Sequence, residues 1–442
     1  MRSHFSGLLL IPFLLTIGSA TQAKTNPETL ARAVLSEDAN EADSAIAELR
    51  TLGPEGLRIL FRVYADDINR ETATSEITAQ SMRLNAALDA VSQQKDSYLS
   101  GLYWYTDIAQ AKAAARAAGK PILSLRLLGK LSEEFSCANS RFFRAVLYSN
   151  TEVSKILRER FILHWQTVRP APRVTIDFGD GRKLEGTITG NSIHYVLDAE
   201  GQPLDALPGL YGPQAFLRSL SQIQEVHERV KGMGPEARAR TLNDYHRAAV
   251  RSLTQDWIKD AERAGGKIPE YLIPKTTADG NRRAVEIAPL AITKSLTEVN
   301  LLRAITRDAD ALGVVTDEVT WTRIALQHIL DAKLDDQSIG LIRRQTQSLL
   351  AARDSSGVTP DMKLMNMVQK LQLSIALDTV RNEYMLRPKL HAWLVADPVR
   401  FDVDKLNEKV YAELFLTPKT DPWLGLFSPE TYMALERGGV SP

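Results

Sequence analysis

Residues 106–125 read "TDIAQAKAAARAAGKPILSL", and the fold follows from what this passage forces on its neighbours. Thr106 or Asp107 can cap a helix, the alanines fill it at little entropic cost, and Gly119 can close it in the left-handed conformation. Pro121 cannot extend that helix, and the apolar run Ile122–Leu128 predicts a strand. The pattern repeats downstream. "NTEVSKILRERF" predicts a helix and "FILHWQTV" a strand, while "VTIDFGDGRKLEGTIT" predicts a hairpin turning at Gly179, Asp180 and Gly181. "SIHYVLDAEGQPL" supplies a strand from Ile193 to Leu197, a turn and a short strand. "GPQAFLRSLSQIQEVHERV" then supplies a helix. Helices alternating with strands over residues 99–232 predict an α/β domain, a central mixed sheet flanked by helices.

Mainly helical sequence lies on both sides. Across residues 24–98, Asn26 caps a helix opened by Pro27, and Gly53–Pro54 separates two amphipathic helices. "LRTLGPEGLRIL" resembles one helix-turn-helix unit of HEAT-type repeats; one unit does not make an array. Residues 233–442 predict a helical domain, with Thr359–Pro360 opening a long helix that Pro388 is expected to stop. The Pro-rich tail "TPKTDPWLGLFSPETY" is expected to fold back on its own domain.

The chain of 442 residues balances 54 basic against 54 acidic side chains. That neutrality gives no footprint for nucleic acid or an anionic membrane. At the N-terminus, "MRSHFSGLLLIPFLLTIGSATQAK" combines Arg2, an apolar run from Leu8 to Ile17 and small residues, so residues 1–23 are expected to be a secretory signal peptide. The run is too short to span a membrane, and no later stretch is long enough. The expected location is the periplasm or the exterior. No H-E-x-x-H or close histidine pair appears, so neither a metal nor another cofactor is expected.

Residues 101–225 resemble the thioredoxin-like superfamily, in the branch of periplasmic thiol-disulfide interchange domains. The likeness rests on "AARAAGKPILSL", on Cys137, Ser140 and Arg141 standing where that branch has C-x-x-C-K, and on Val153 sixteen positions after the cysteine. The motif is degenerate, since "CANS" lacks the second cysteine. "NSIHYVLD" has Ile193 where the family has a cis-proline.

The resemblance implies a monothiol site with Cys137 as nucleophile, Ser140 and the helix N-terminus favouring thiolate, Arg141 adding positive charge, and His194 approaching from the neighbouring strand. Without a resolving thiol, two-cysteine oxidoreduction is excluded. What remains is monothiol exchange, isomerase-like activity, or capture of other exported proteins as mixed disulfides. The rival reading is a non-catalytic interaction module that kept the fold and buried its only cysteine. Exposure of Cys137 separates the two.

Overall fold

The computed structural model describes residues 26–74, 77–187, 190–265, 318–351, 358–396, 402–424 and 434. The signal-peptide reading of residues 1–23 and most of the tail beyond residue 424 lie outside them.

Six helices build the N-terminal region: α1 (Pro27–Ala33), α2 (Ala39–Thr51), α3 (Pro54–Val63), α4 (Ala65–Thr74), α5 (Ala79–Ser92) and α6 (Ser97–Ser100). The Asn26 carboxamide accepts from the Glu28 amide as predicted, and Thr78 and Ser81 form a reciprocal capping box. Gly53 turns the chain between α2 and α3 at φ +66°. Gly56, one turn into α3, lies against the Leu49 carbonyl, a backbone approach with no room for a Cβ. Leu49, Leu60, Leu84, Leu88 and Val91 fill a core between these helices, which Tyr103 and Tyr105 at the entry to the sheet also join.

The sheet carries five strands in the order β1-β3-β2-β6-β7. They are β1 (Trp104–Tyr105), β2 (Ile122–Leu128), β3 (Ile162–Arg169), β6 (Ser192–Leu197) and β7 (Pro203–Pro208). β1, β3 and β2 run parallel, and β6 and β7 follow antiparallel. In the central strand Leu123 faces Leu163 on one side and Val196 on the other. Every residue of β2, β6 and β7 is buried, as strands covered on both faces must be. Helix α7 (Ile108–Ala118) starts at Asp107, whose carboxylate accepts from Ala109 and Gln110, and ends at Gly119 with φ +64°. A second sheet is the predicted hairpin, β4 (Arg173–Asp177) and β5 (Lys183–Thr187), standing apart between β3 and β6.

Between β2 and β3 lie α8 (Ala138–Phe142), a π-turn over Phe143–Tyr148, and α9 (Thr151–Arg160). Helix α10 (Pro213–Val230) follows β7 and leads through a short turn to α11 (Pro235–Arg263). Among the described residues the remaining α-helices are α12 (Glu318–Gln327), α13 (Asp336–Gln345), α14 (Gln347–Ala351), α15 (Pro360–Arg381), α16 (Arg387–Ala396) and α17 (Val403–Lys409).

One sequence expectation is corrected here. Pro388 does not stop the long helix; α15 widens into a π-turn at Asn382–Leu386 and continues as α16, with Pro388 in its first turn. The wider turn is where a missing backbone N–H is tolerated. The molecule is thus a mixed α/β structure with helices around a five-stranded sheet. Its larger apolar core runs from Leu102 through the sheet into the C-terminal helices, reaching Leu414 and Leu424 without a break.

Candidate functional site

Cys137 sits at the N-cap of α8, as the resemblance implies, and its amide donates to the Leu128 carbonyl at the end of β2 (3.1 Å). Its side chain is 0% exposed. Ser140 Oγ lies 2.5 Å from Ser136 Oγ and 2.9 Å from the Cys137 carbonyl oxygen, so its hydroxyl is used inside its own turn. Arg141 donates to Thr187 Oγ1 at the base of the hairpin (3.0 Å), and that hydroxyl donates to the Ser136 carbonyl. Arg144, also buried, donates to the Glu133 and Glu134 carbonyls. Both guanidinium groups tie loops together.

His194 projects from β6 into an aromatic nest, 4.6 Å between ring centroids from Phe143 and 5.2 Å from Phe216. Its Nε2 is 2.7 Å from the Tyr148 hydroxyl, and its Nδ1 has no hydrogen-bond partner among the described residues. Burial drives its pKa down to about 3, so the ring is neutral. Among the described residues His194 makes no hydrogen bond with Cys137. Sequence reasoning placed it on the neighbouring strand; the hydrogen bond it makes there is with the Tyr148 hydroxyl.

Tyr148 of the π-turn and Tyr411 of the turn after α17 both stand near enough to the cysteine to interact with it electrostatically, and Thr187 at the hairpin base bonds the carbonyl of the preceding residue, Ser136. The hydroxyls of Tyr148 and Tyr411 are pushed well above the usual tyrosine range, first by burial and then by the neighbouring Cys137. Tyr411 donates to the Asn191 carbonyl (2.9 Å), Asn191 donates to Thr417 Oγ1 (3.0 Å), and Arg169 holds the carbonyls of Thr417 and Asp421. Arg126, in the middle of β2, reaches Asp404 at 2.9 Å. Residues 402–424 therefore strap the sheet, and the described part of the tail, expected to fold back on its own domain, instead bonds Arg169 and Asn191 of the sheet domain.

A separate cleft opens between α10 and α11, floored by the end of α15, the π-turn after it, and α16. It encloses about 590 Å³. At one end Arg218 makes a two-pronged ion pair with Asp331 (2.5 and 2.6 Å). His328 bridges Asp331 and Asp260, and Tyr384 donates to Asp260 (2.5 Å). Those carboxylates raise the His328 pKa above its ordinary value, favouring imidazolium.

Below the cleft lies a buried lattice. Asp205 of β7 accepts from Arg387 (3.0 Å) and Tyr245 (2.6 Å), with His391 Nδ1 3.8 Å away and 2.9 Å from His246 Nδ1. Desolvation opposes ionisation of Asp205, but His391, Arg387 and His246 together hold its carboxyl well below the usual range. Burial lowers the pKa of both histidines.

Sequence reasoning missed this cleft. Its only trace is a polar stripe on α10, Arg218, Gln222, Glu225 and Arg229, at helical spacing, which reads the same as a solvated face. Among the described residues no group of three or more His, Cys, Asp or Glu side chains is placed to hold a metal ion, and no helix is long and apolar enough to cross a membrane. No protein-family profile, curated protein or solved structure matches the chain.

Proposed function

We propose that this chain is an exported, thioredoxin-like binding protein in which Cys137 is a packed structural residue and not a nucleophile. The thioredoxin-like part of that reading is supported by the resemblance over residues 101–225 and by a sheet of three parallel strands followed by two antiparallel ones. It is supported further by a cysteine at the start of the first helix after the central strand. Export rests on the N-terminal sequence alone.

The observation that carries the non-catalytic reading is the complete burial of Cys137, which has Tyr148 and Tyr411 in its neighbourhood. Disulfide exchange needs the sulfur to meet a client sulfur in line, and a thiol with no accessible surface meets none. The groups that would activate it are committed elsewhere: Ser140 to Ser136, Arg141 to Thr187, His194 to Tyr148. What the fold retains is a rigid sheet with helical layers on both sides, the architecture of a binding scaffold.

Alkylation of Cys137 across roughly pH 4–10 tests this against a free thiol with pKa about 8.5. The expected result is no labelling of the native protein and full labelling in denaturant. Fast native labelling with a midpoint well below that of a free thiol would restore the monothiol mechanism, and trapping mixed disulfides with exported proteins would then identify its clients.

A further inference from the structure

We propose that the cleft between α10 and α11 binds a short peptide with free termini, its ammonium held by Glu383 and its carboxylate by Arg229. The site is distinct from Cys137, and the inference stands whether or not that thiol reacts.

Volume gives the first constraint. About 590 Å³ lies within the roughly 300–1,000 Å³ of small-ligand sites. The space exists because the walls are made of small side chains. Ala215 and Ser219 face the cleft from α10, and Ala248, Ala249 and Ser252 face it from α11. The stretch from Arg218 to Arg229 covers about 16 Å of helix at 1.5 Å per residue, so the opening is elongated. An extended peptide of a few residues, at about 3.3 Å each, suits such a groove.

Charge gives the second. Four arginines line the cleft against five carboxylates, and His328, held between Asp260 and Asp331, supplies a further positive charge. The balance disfavours a purely anionic ligand such as a phosphate ester, and equally a polyamine. A wall that carries full charges of both signs recognises a ligand that carries both.

Partnering gives the third. Most of these charges are already satisfied within the protein, as Arg218 is by Asp331 and Asp260 by His328 and Tyr384. Three are not. Glu383 accepts from Arg387 and Ser219 through Oε1 only, which leaves Oε2 without a partner among the described residues. Glu225 and Arg229 line the cleft with no ion pair or hydrogen bond to the described residues. Glu383 is largely enclosed, with its side chain 18% exposed, so its open oxygen lies in a setting where a charge-assisted bond is strong. Arg229 stands at the exposed rim, where a carboxylate can be taken by a two-pronged bond.

Calorimetric titration of the full-length mature protein tests the inference with trialanine, N-acetyl-trialanine, trialanine amide, the doubly blocked peptide and inorganic phosphate as probes. Trialanine is expected to bind, and blocking either end is expected to weaken binding about tenfold or more. Arg229→Ala, at an exposed position, is expected to reproduce the loss seen with trialanine amide and to leave the melting temperature unchanged. Glu383→Gln is expected to mimic the loss seen with the acetylated peptide. No heat with trialanine, equal affinity for the doubly blocked peptide, or unaltered affinity in Arg229→Ala would each overturn the proposal. Tighter binding of phosphate than of trialanine would overturn it in favour of an anion site.

Discussion

Replacing His194 by glutamine gives the sharpest test of how the centre of this protein is built. A histidine has a pKa of about 6.5 in an unfolded chain, and in the folded protein burial holds His194 at about 3. A folded-state value below the unfolded one means that acid favours the unfolded chain: the stability is present above pH 6.5 and is lost as pH falls toward 3. At pH 5 the unfolded chain has taken up a proton that the folded one refuses, at about 1.36 kcal/mol for each of 1.5 pH units, or about 2 kcal/mol. At pH 7.5 the same contribution is close to zero.

Glutamine does not titrate, and it can still offer a hydrogen bond to Tyr148. Urea unfolding of both proteins at pH 7.5 and pH 5 is the assay. Whatever the variant loses at pH 7.5 through altered packing against Phe143 and Phe216, the gap to wild type should close by about 2 kcal/mol at pH 5. Parallel profiles would refute a buried neutral imidazole. A gap that widens on acidification would mean an imidazolium in the folded state, the form a Cys137 thiolate would stabilise, and would revive the catalytic pair. The sign alone separates the two accounts of this residue.

Two further substitutions probe the joint between sheet and helices. Asp205→Asn should cost about 3–5 kcal/mol in chemical denaturation, because it leaves Arg387 charged and fully enclosed with only Glu383 as a counter-ion; a loss under 1 kcal/mol would show that the lattice is hydrated. Asp378, on α15, is fully buried, and desolvation raises its pKa to about 8. Its folded value exceeds the unfolded one of about 3.9, so it costs stability increasingly as pH rises from about 4 to 8. Asp378→Asn should therefore stabilise the protein by a few kcal/mol more at pH 8 than at pH 5, and a pH-independent effect in differential scanning calorimetry would contradict that environment.

Much of the local structure was legible because its causes lie within a few residues. Asn26 and Thr359 cap the helices they were expected to open, and of the two candidates Thr106 and Asp107 it is Asp107 that caps the third, since a side-chain oxygen two or three residues from an open amide needs no distant help. The β2 boundaries follow from an apolar run between Pro121 and Gly129, and the β4–β5 turn from two glycines that accept φ of +75° and +92°. Cys137 stands at a helix start, as the resemblance implied; no local capping signal marks it.

Its burial was not legible, because segments such as that of its neighbour Tyr411 come from 274 positions further along the chain. The partner of His194 was hidden too. A strand position defines the face on which a side chain stands, and only packing decides whether a thiol or the Tyr148 hydroxyl meets it there. Pro388 misled because a proline rule describes a regular α-turn, and the π-turn before it lies outside that rule. The cleft needed even more of the tertiary structure. Arg218, Asp260, His328, Asp331 and Glu383 come from separate parts of the chain and acquire chemistry only when α10 and α11 part over α15 and α16. The sequence by itself determined the elements, through hydrogen bonds and periodicities that close over short range. The tertiary structure decided which polar groups were sealed and which were left open, because burial is set by whatever distant segment packs on top.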